Sequence, residues 1–182
     1  MPALAIWTCR DGLLSAVAPL GLAAAAETAL VVDLDPNGPR YPGPASLADL
    51  VAEGPRRADL VPARKGVAVL RNGGVNVAEA REVVEALIEG WPQVVVRVGE
   101  PGAARGFASL VPVWPLFPGV LAPSIDELSV FQRTGFSVTP PGPGPVLPRP
   151  RPSVLEGLLN GVVARRSRWL AAWRQVWRLP WP

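Results

Sequence analysis

The sequence predicts an α/β fold: a mostly parallel sheet flanked by helices, followed by a C-terminal amphipathic helix. Three observations carry this. Short continuous apolar runs at residues 4–8, 29–34, 67–70 and 94–98 read as strands buried on both faces, as parallel strands are. Helical patterns alternate with these runs, which is the order of an α/β chain rather than a sandwich. The 182 residues are 49% apolar and only 18% charged, enough for one domain with a real core plus a tail, and unlike a highly charged disordered chain.

The elements follow in order. Leu4–Thr8 is a short buried strand, and Cys9–Leu14 a turn around Asp11-Gly12. Ser15–Glu27 is Ala-rich and helical, weakened by Pro19 and Gly21. Ala29–Leu34 is the second strand, closed by Asp33-Leu34-Asp35-Pro36, and residues 37–44 form a Pro/Gly loop. Ser46 starts a capped helix with Asp49 at its third position. Val67–Leu70 is the third strand, turned by Asn72-Gly73-Gly74. The helix over 76–89 is the clearest, with Ala80, Val83, Val84, Leu87 and Ile88 on one face and Gly90 at its end. Val94–Val98 is the fourth strand. Leu110–Trp114 is a fifth, placed at an edge because of Pro112. From Thr139 to Pro152 seven residues are proline, which predicts an extended linker between a body over 1–138 and a helical tail over 153–182.

Charge is divided unevenly. Residues 1–130 hold 10 Lys/Arg and 14 Asp/Glu, whereas residues 131–182 hold 8 Arg and one acid, Glu156. An acidic body with a basic tail points to an anionic partner. The chain has no His, which excludes His-based acid–base chemistry, His-containing triads and His metal ligands. Cys9 is the lone cysteine, so no intrachain disulfide and no cysteine zinc site is expected. With neither a signal-peptide pattern nor an apolar run of about 18 residues, the expectation is a cytoplasmic protein, peripheral to the inner membrane face if the tail binds lipid.

A strand, a tight loop and a helix N-terminus make the basic phosphate-binding arrangement, and Asp33 and Asp35 lie at the sheet edge where α/β ligands sit. In this order, residues 3 to about 121 resemble the ParA/MinD superfamily of P-loop ATPases, especially its divergent CpaE/TadZ-type and septum-site-determining branch. Four segments carry the resemblance: Leu4–Thr8 with its loop and Ala-rich helix, Ala29–Pro36, Lys65–Gly74, and the Glu79–Glu89 helix leading into Val94–Val98. The resemblance implies a nucleotide site at Arg10, Gly12, Ser15, Asp33 and Asp35. The departures are as informative. The loop reads Cys9-Arg10-Asp11-Gly12-Leu13-Leu14-Ser15, so only Gly12 and Ser15 remain of the family's loop, and Leu14 takes the place expected for the phosphate-gripping lysine. Arg97 stands where the fourth strand of the family ends in a Mg²⁺-holding Asp. Phosphoryl transfer depends on positioning and charge neutralisation, so a degenerate P-loop protein without ATPase activity, cofactor or metal is expected. Asp33 and Asp35 also have a plain reading as a turn, since Asp-Pro commonly starts one. The region after Trp114 lacks the family's further strand–helix units, which leaves the family's homodimer as an open expectation.

The tail supplies the interaction candidates. Residues 153–179 read as one amphipathic helix or two, in which Leu155, Leu158, Leu159, Val162 and Val163 continue into Trp169, Leu170, Trp173, Val176 and Trp177 as one apolar stripe. Arg165, Arg168, Arg174, Gln175 and Arg178 line the other side, with Arg166 near the border. Indole favours the membrane interface and Arg favours anionic headgroups, so Trp169, Trp173 and Trp177 with these arginines form a membrane- or partner-binding set. The opposing reading folds the helix back on the body, with Trp as core and Arg as rim. Nucleic acid is disfavoured because Trp and Arg segregate rather than interleave. The expected function is a non-catalytic ParA/MinD-like scaffold or positioning factor, at a cell pole or septum, in pilus or secretion assembly, or in partitioning. It would act through a protein partner and an anionic membrane surface. The alternatives are an ATP-binding switch with an atypical loop, and a peripheral membrane or nucleic-acid-binding protein acting through the tail.

Overall fold

The computed structural model describes residues 3–9, 12–117, 125–135, 138–164 and 166–182. Seven strands form one sheet: β1 (Ala3–Thr8), β2 (Thr28–Asp33), β3 (Gly66–Leu70), β4 (Val94–Val98), β5 (Ser109–Leu116), β6 (Val130–Arg133) and β7 (Val146–Leu147). Their order is β3-β2-β4-β1-β5-β6-β7, and every neighbouring pair is parallel. The helices are α1 (Gly12–Ala24), α2 (Leu47–Glu53), α3 (Val77–Gly90), α4 (Pro152–Leu159) and α5 (Arg168–Val176), with a 3-10 turn at Pro101–Ala104. The fold class is that expected. Among the described residues no helix is long and apolar enough to cross a membrane.

Strand alternation divides the interior into two layers. Leu4, Ile6, Val31, Val95 and Val111 face α1 and the tail. Ala5, Leu30, Val32, Val94 and Val96 face α2 and α3. Because both faces are covered, the strands read as continuous apolar runs. The helices start where local chemistry dictates. Ser46 and Asn76 each accept from the N–H three residues on, and Asp49 and Glu79 return a bond to the cap N–H. The α3 residues that face inward are Ala80, Val83, Val84 and Leu87, four of the five on the expected stripe.

Two expectations are corrected. The first concerns β5, which is an internal strand between β1 and β6 rather than an edge. Its prolines are tolerated because the flanking strands are staggered. Pairing with β6 begins only at Val113, after Pro112, and pairing with β1 ends at Val113, before Pro115. Each proline thus lies beside a single neighbouring strand, which is the edge condition met one residue at a time.

The second concerns residues 139–152, expected as a linker. They are extended, but they close the sheet. Ile125, Ser129 and Phe131 donate their N–H groups to the carbonyls of Pro141, Pro143 and Pro145. Prolines accept there but cannot donate back, so only Val146 and Leu147 complete a regular ladder, and Leu147 is fully buried. The alternating glycines are required by proximity. A Cβ on Gly142 would lie 2.0 Å from the Ile125 carbonyl oxygen, and one on Gly144 1.8 Å from that of Ser129, where φ is +136°. Gly144→Ala is therefore expected to cost roughly 2–3 kcal/mol, combining positive-φ strain with a backbone clash. A denaturant titration that moves by less than about 0.5 kcal/mol would contradict this placement.

The tail, read from the sequence as one amphipathic helix or two, takes the second form. It forms two helices, α4 and α5, joined by a turn that leaves Val162 and Val163 exposed. The chain after Trp114 thus adds two strands, β6 and β7, that the sequence reading did not foresee.

Candidate functional site

In an open parallel sheet the ligand crevice lies outside the carboxyl ends of the strands, where successive connections leave in opposite directions. Here that point is β1. The chain leaves β1 towards β2 and β3 on one side, returns to β4, and crosses β1 to reach β5 on the other. The carboxyl ends of β1, β2 and β4 and the start of α1 surround the crevice.

At this end of the sheet stands an internal ion pair. Asp33 and Arg97 are register partners on β2 and β4, so their side chains emerge side by side on the α1 face. They form a forked ion pair: Arg97 Nε donates to Asp33 Oδ1 at 2.8 Å and Nη2 to Oδ2 at 3.0 Å. Both are nearly inaccessible, at 1% and 2% exposure. Arg97 Nη1 also donates to the Pro39 carbonyl at 2.6 Å, and Nη2 to that of Asp35 at 3.4 Å. The guanidinium lies over the Tyr41 ring, 4.6 Å from its centroid, and the Tyr41 hydroxyl donates to the Ala16 carbonyl of α1 at 2.7 Å. One arginine therefore ties β4 to β2 and to the 35–41 loop, and its stacking partner ties that loop to α1. Gly38 makes the close approach possible, because a Cβ there would lie 2.2 Å from Asp35 Oδ2 and 3.1 Å from Arg97 Nη2.

Burial lifts the Asp33 carboxyl above its ordinary value. The Arg97 charge and the Asp35 N–H bound to Oδ1 pull it part of the way back. Burial likewise pushes the Tyr41 phenol well above its usual range, against a smaller opposing effect of Arg97. A folded state that holds a proton more tightly than the unfolded chain loses stability as pH rises past the unfolded value, here about 10. Tyr41 is the one tyrosine of the chain, so phenolate absorbance reports it alone. That absorbance is expected to stay absent above pH 10 and to appear together with alkaline unfolding. Titration near pH 10 in the folded protein would contradict the buried contact.

The sequence-derived nucleotide residues fare unequally. Arg10 and Asp11 lie outside the described residues. Gly12 is the exposed first residue of α1, and the Ser15 hydroxyl donates to the Gly12 carbonyl at 3.0 Å. Leu14 is buried in the core, and Leu13, 55% exposed, is the residue the first turn presents. Asp33 is taken up by Arg97. Asp35 Oδ1 accepts from the N–H groups of Asn37 and Gly38 at 3.1 and 3.0 Å, the turn role foreseen as its plain reading. Asn72 completes the frame by donating from Nδ2 to the Asp33 and Val75 carbonyls.

The tail residues divide by type. Trp169 and Trp173 are 2% and 0% exposed and meet edge-to-face at 5.8 Å over Gly21 of α1. A Cβ on Gly21 would lie 2.5 Å from Trp169 and 2.6 Å from Trp173, so this glycine is the groove that receives them. Trp169 Nε1 donates to Gln132 Oε1 at 2.7 Å, and Trp177 Nε1 to the Leu22 carbonyl at 3.0 Å. Trp169 and Trp173 thus follow the reading that folds the tail back on the body, rather than docking on a membrane or partner, because α1 offers an apolar groove within reach. Arg166, Arg168, Arg174 and Arg178 remain exposed, and Arg165 lies outside the described residues.

What the fold and site define is an open, all-parallel α/β protein with a buried arginine–carboxylate pair between β2 and β4 at the carboxyl end of its sheet. No protein-family model matches the chain, and no curated protein matches it.

Proposed function

We propose that this chain is a non-catalytic, ParA/MinD-like protein with a degenerate P-loop, working as a scaffold or positioning factor through protein contacts. The carrying observation is the Asp33–Arg97 pair. The carboxylate best placed to serve a metal-bound phosphate is held by an internal cation, and the 35–41 loop and Tyr41 cover that cation. Leu14, at the position where the resemblance expects the phosphate-gripping lysine, is buried in the core. A triphosphate entering there would meet no lysine on the first turn of α1, and it would have to break a buried ion pair to reach Asp33. The processes implied by the resemblance are pole or septum placement, pilus or secretion assembly, and partitioning. The exposed arginines of the tail suit a peripheral contact with an anionic membrane surface in the same role, each contributing on the order of 1 kcal/mol.

Thermal unfolding with Mg-ATP, Mg-ADP and Mg-GTP at millimolar concentration tests this reading. A ligand bound only by the folded state raises stability by mass action, by about 2.7 kcal/mol at a hundredfold excess over Kd. The expected result is the same midpoint with each nucleotide. A rise of several degrees would overturn the reading in favour of a nucleotide switch.

A further inference from the structure

The two edges of the sheet are treated oppositely. The β7 edge is built from the Pro/Gly segment and is two residues long. The β3 edge, Gly66-Val67-Ala68-Val69-Leu70, contains no proline and no charge, and among the described residues β2 is its only partner strand. Such an edge is a template for another strand, which natural sheets ordinarily guard against. Its direction can be read from its bonds. Gly66 N–H donates to the Glu27 carbonyl, so residues 66, 68 and 70 turn their main-chain groups towards β2. Residues 67, 69 and 71 turn theirs outward. The Arg71 carbonyl shows this, since it accepts from Leu47 N–H across an isolated parallel bridge, Ser46 to Arg71. The chain thus touches this edge at Ser46 and turns at once into α2, leaving Val67 and Val69 without a neighbouring strand on that side among the described residues. A groove of about 320 Å³ runs beside them, lined by Leu50, Val61, Arg64, Val67, Val69 and Trp91.

Charge selects the occupant. Arg64 and Lys65 precede the strand and Arg71 follows it, all exposed. Lys65 pairs with Glu27, and Asp49 lies close enough to feel Arg71, but neither Arg64 nor Arg71 forms a salt bridge among the described residues. A second copy is disfavoured. The antiparallel register that pairs all five residues with themselves sets Lys65 opposite Arg71 at both ends, and like charges directly opposite destabilise a ladder. We propose that the open β3 edge receives an extended, alternately apolar segment of a partner protein with acidic residues at its ends. This rests on the scaffold reading in supplying that scaffold with its partner surface. The partner's main chain pairs with Val67 and Val69, its apolar side chains enter the groove, and its carboxylates meet Arg64 and Arg71.

Three synthetic peptides test it, sharing the core Val-Thr-Val-Thr-Val and flanked at both ends by two Glu, two Ser or two Lys. Each is titrated against the full chain by fluorescence anisotropy, with amide exchange followed at Val67 and Val69. The Glu-flanked peptide is expected to bind about tenfold tighter than the Lys-flanked one, with the gap narrowing in salt. It is also expected to protect both amides. Val69→Pro removes an outward N–H and no bond to β2, so binding should fall at least about tenfold with the midpoint retained. Should that variant not fold, the surface variant Arg64→Glu/Arg71→Glu is expected to reverse the flank preference. Absence of binding by all three peptides, equal binding of the Glu- and Lys-flanked peptides, or binding untouched by both variants overturns the proposal. An oligomer that Val69→Pro dissolves assigns the edge to a second copy and also overturns it. None of these outcomes bears on the nucleotide midpoints, so failure here and failure of the scaffold reading are separable.

Discussion

Trp173→Ala is expected to destabilise the protein by about 3–5 kcal/mol, a large part of the whole stability of a domain this size. Trp173 is fully buried against Gly21 of α1, and alanine there leaves a cavity that α5, tied to β6 through the Trp169–Gln132 hydrogen bond, cannot readily collapse into. Smaller changes should separate the two indoles. Trp169→Phe takes away the donor to Gln132, stranding a buried amide oxygen, whereas the Trp173 indole N–H is buried without a partner among the described residues. Trp169→Phe is therefore expected to cost more than Trp173→Phe, by about 1 kcal/mol. Gly21→Val should act like Trp173→Ala from the other side of the contact. Urea unfolding with matched m-values measures all four. If Trp173→Ala unfolds with the wild-type midpoint, α5 is not held on α1.

Arg97→Ala is expected to cost a similar 3–5 kcal/mol, for a different reason. It leaves Asp33 as an uncompensated charge inside the sheet and removes the ties to Pro39 and Asp35. The pH dependence identifies the cause. Burial raises the Asp33 carboxyl, and the Arg97 charge is the largest influence pulling it back. Without Arg97 the folded state holds the Asp33 proton more tightly still. The variant should therefore regain stability relative to wild type as pH falls through the carboxylate range. A loss independent of pH would assign the effect to the loop contacts instead.

Much of this architecture is legible in the sequence because burial on both faces leaves little freedom. Four continuous apolar runs became β1 to β4, and the Ser46 and Asn76 caps fixed two helix starts. What escaped depended on partners distant along the chain. Pro112 argues for an edge unless the stagger of β1 and β6 is known. Residues 140–145 carry no apolar pattern, because their contribution is a row of proline carbonyls and two glycines pressed against Ile125 and Ser129. The tail stripe was visible, but whether it faces lipid or α1 turns on Gly21, about 150 residues away, which the sequence offered only as a helix weakener. The same holds for the candidate site. Arg97 was seen as a missing acid, yet the signal for its role was present: two opposite charges, Asp33 and Arg97, each alone within an apolar strand.

The central claim is that Asp33 serves Arg97 and the fold rather than a ligand, and a double-mutant cycle tests it most directly. Unfolding free energies of wild type, Asp33→Leu, Arg97→Met and the double variant give the coupling between the two side chains. The expected coupling is about 3 kcal/mol or more, with the double variant close to wild type and all four values unchanged by millimolar Mg-ATP. A coupling below about 0.5 kcal/mol, or one that changes when Mg-ATP is added, would contradict it.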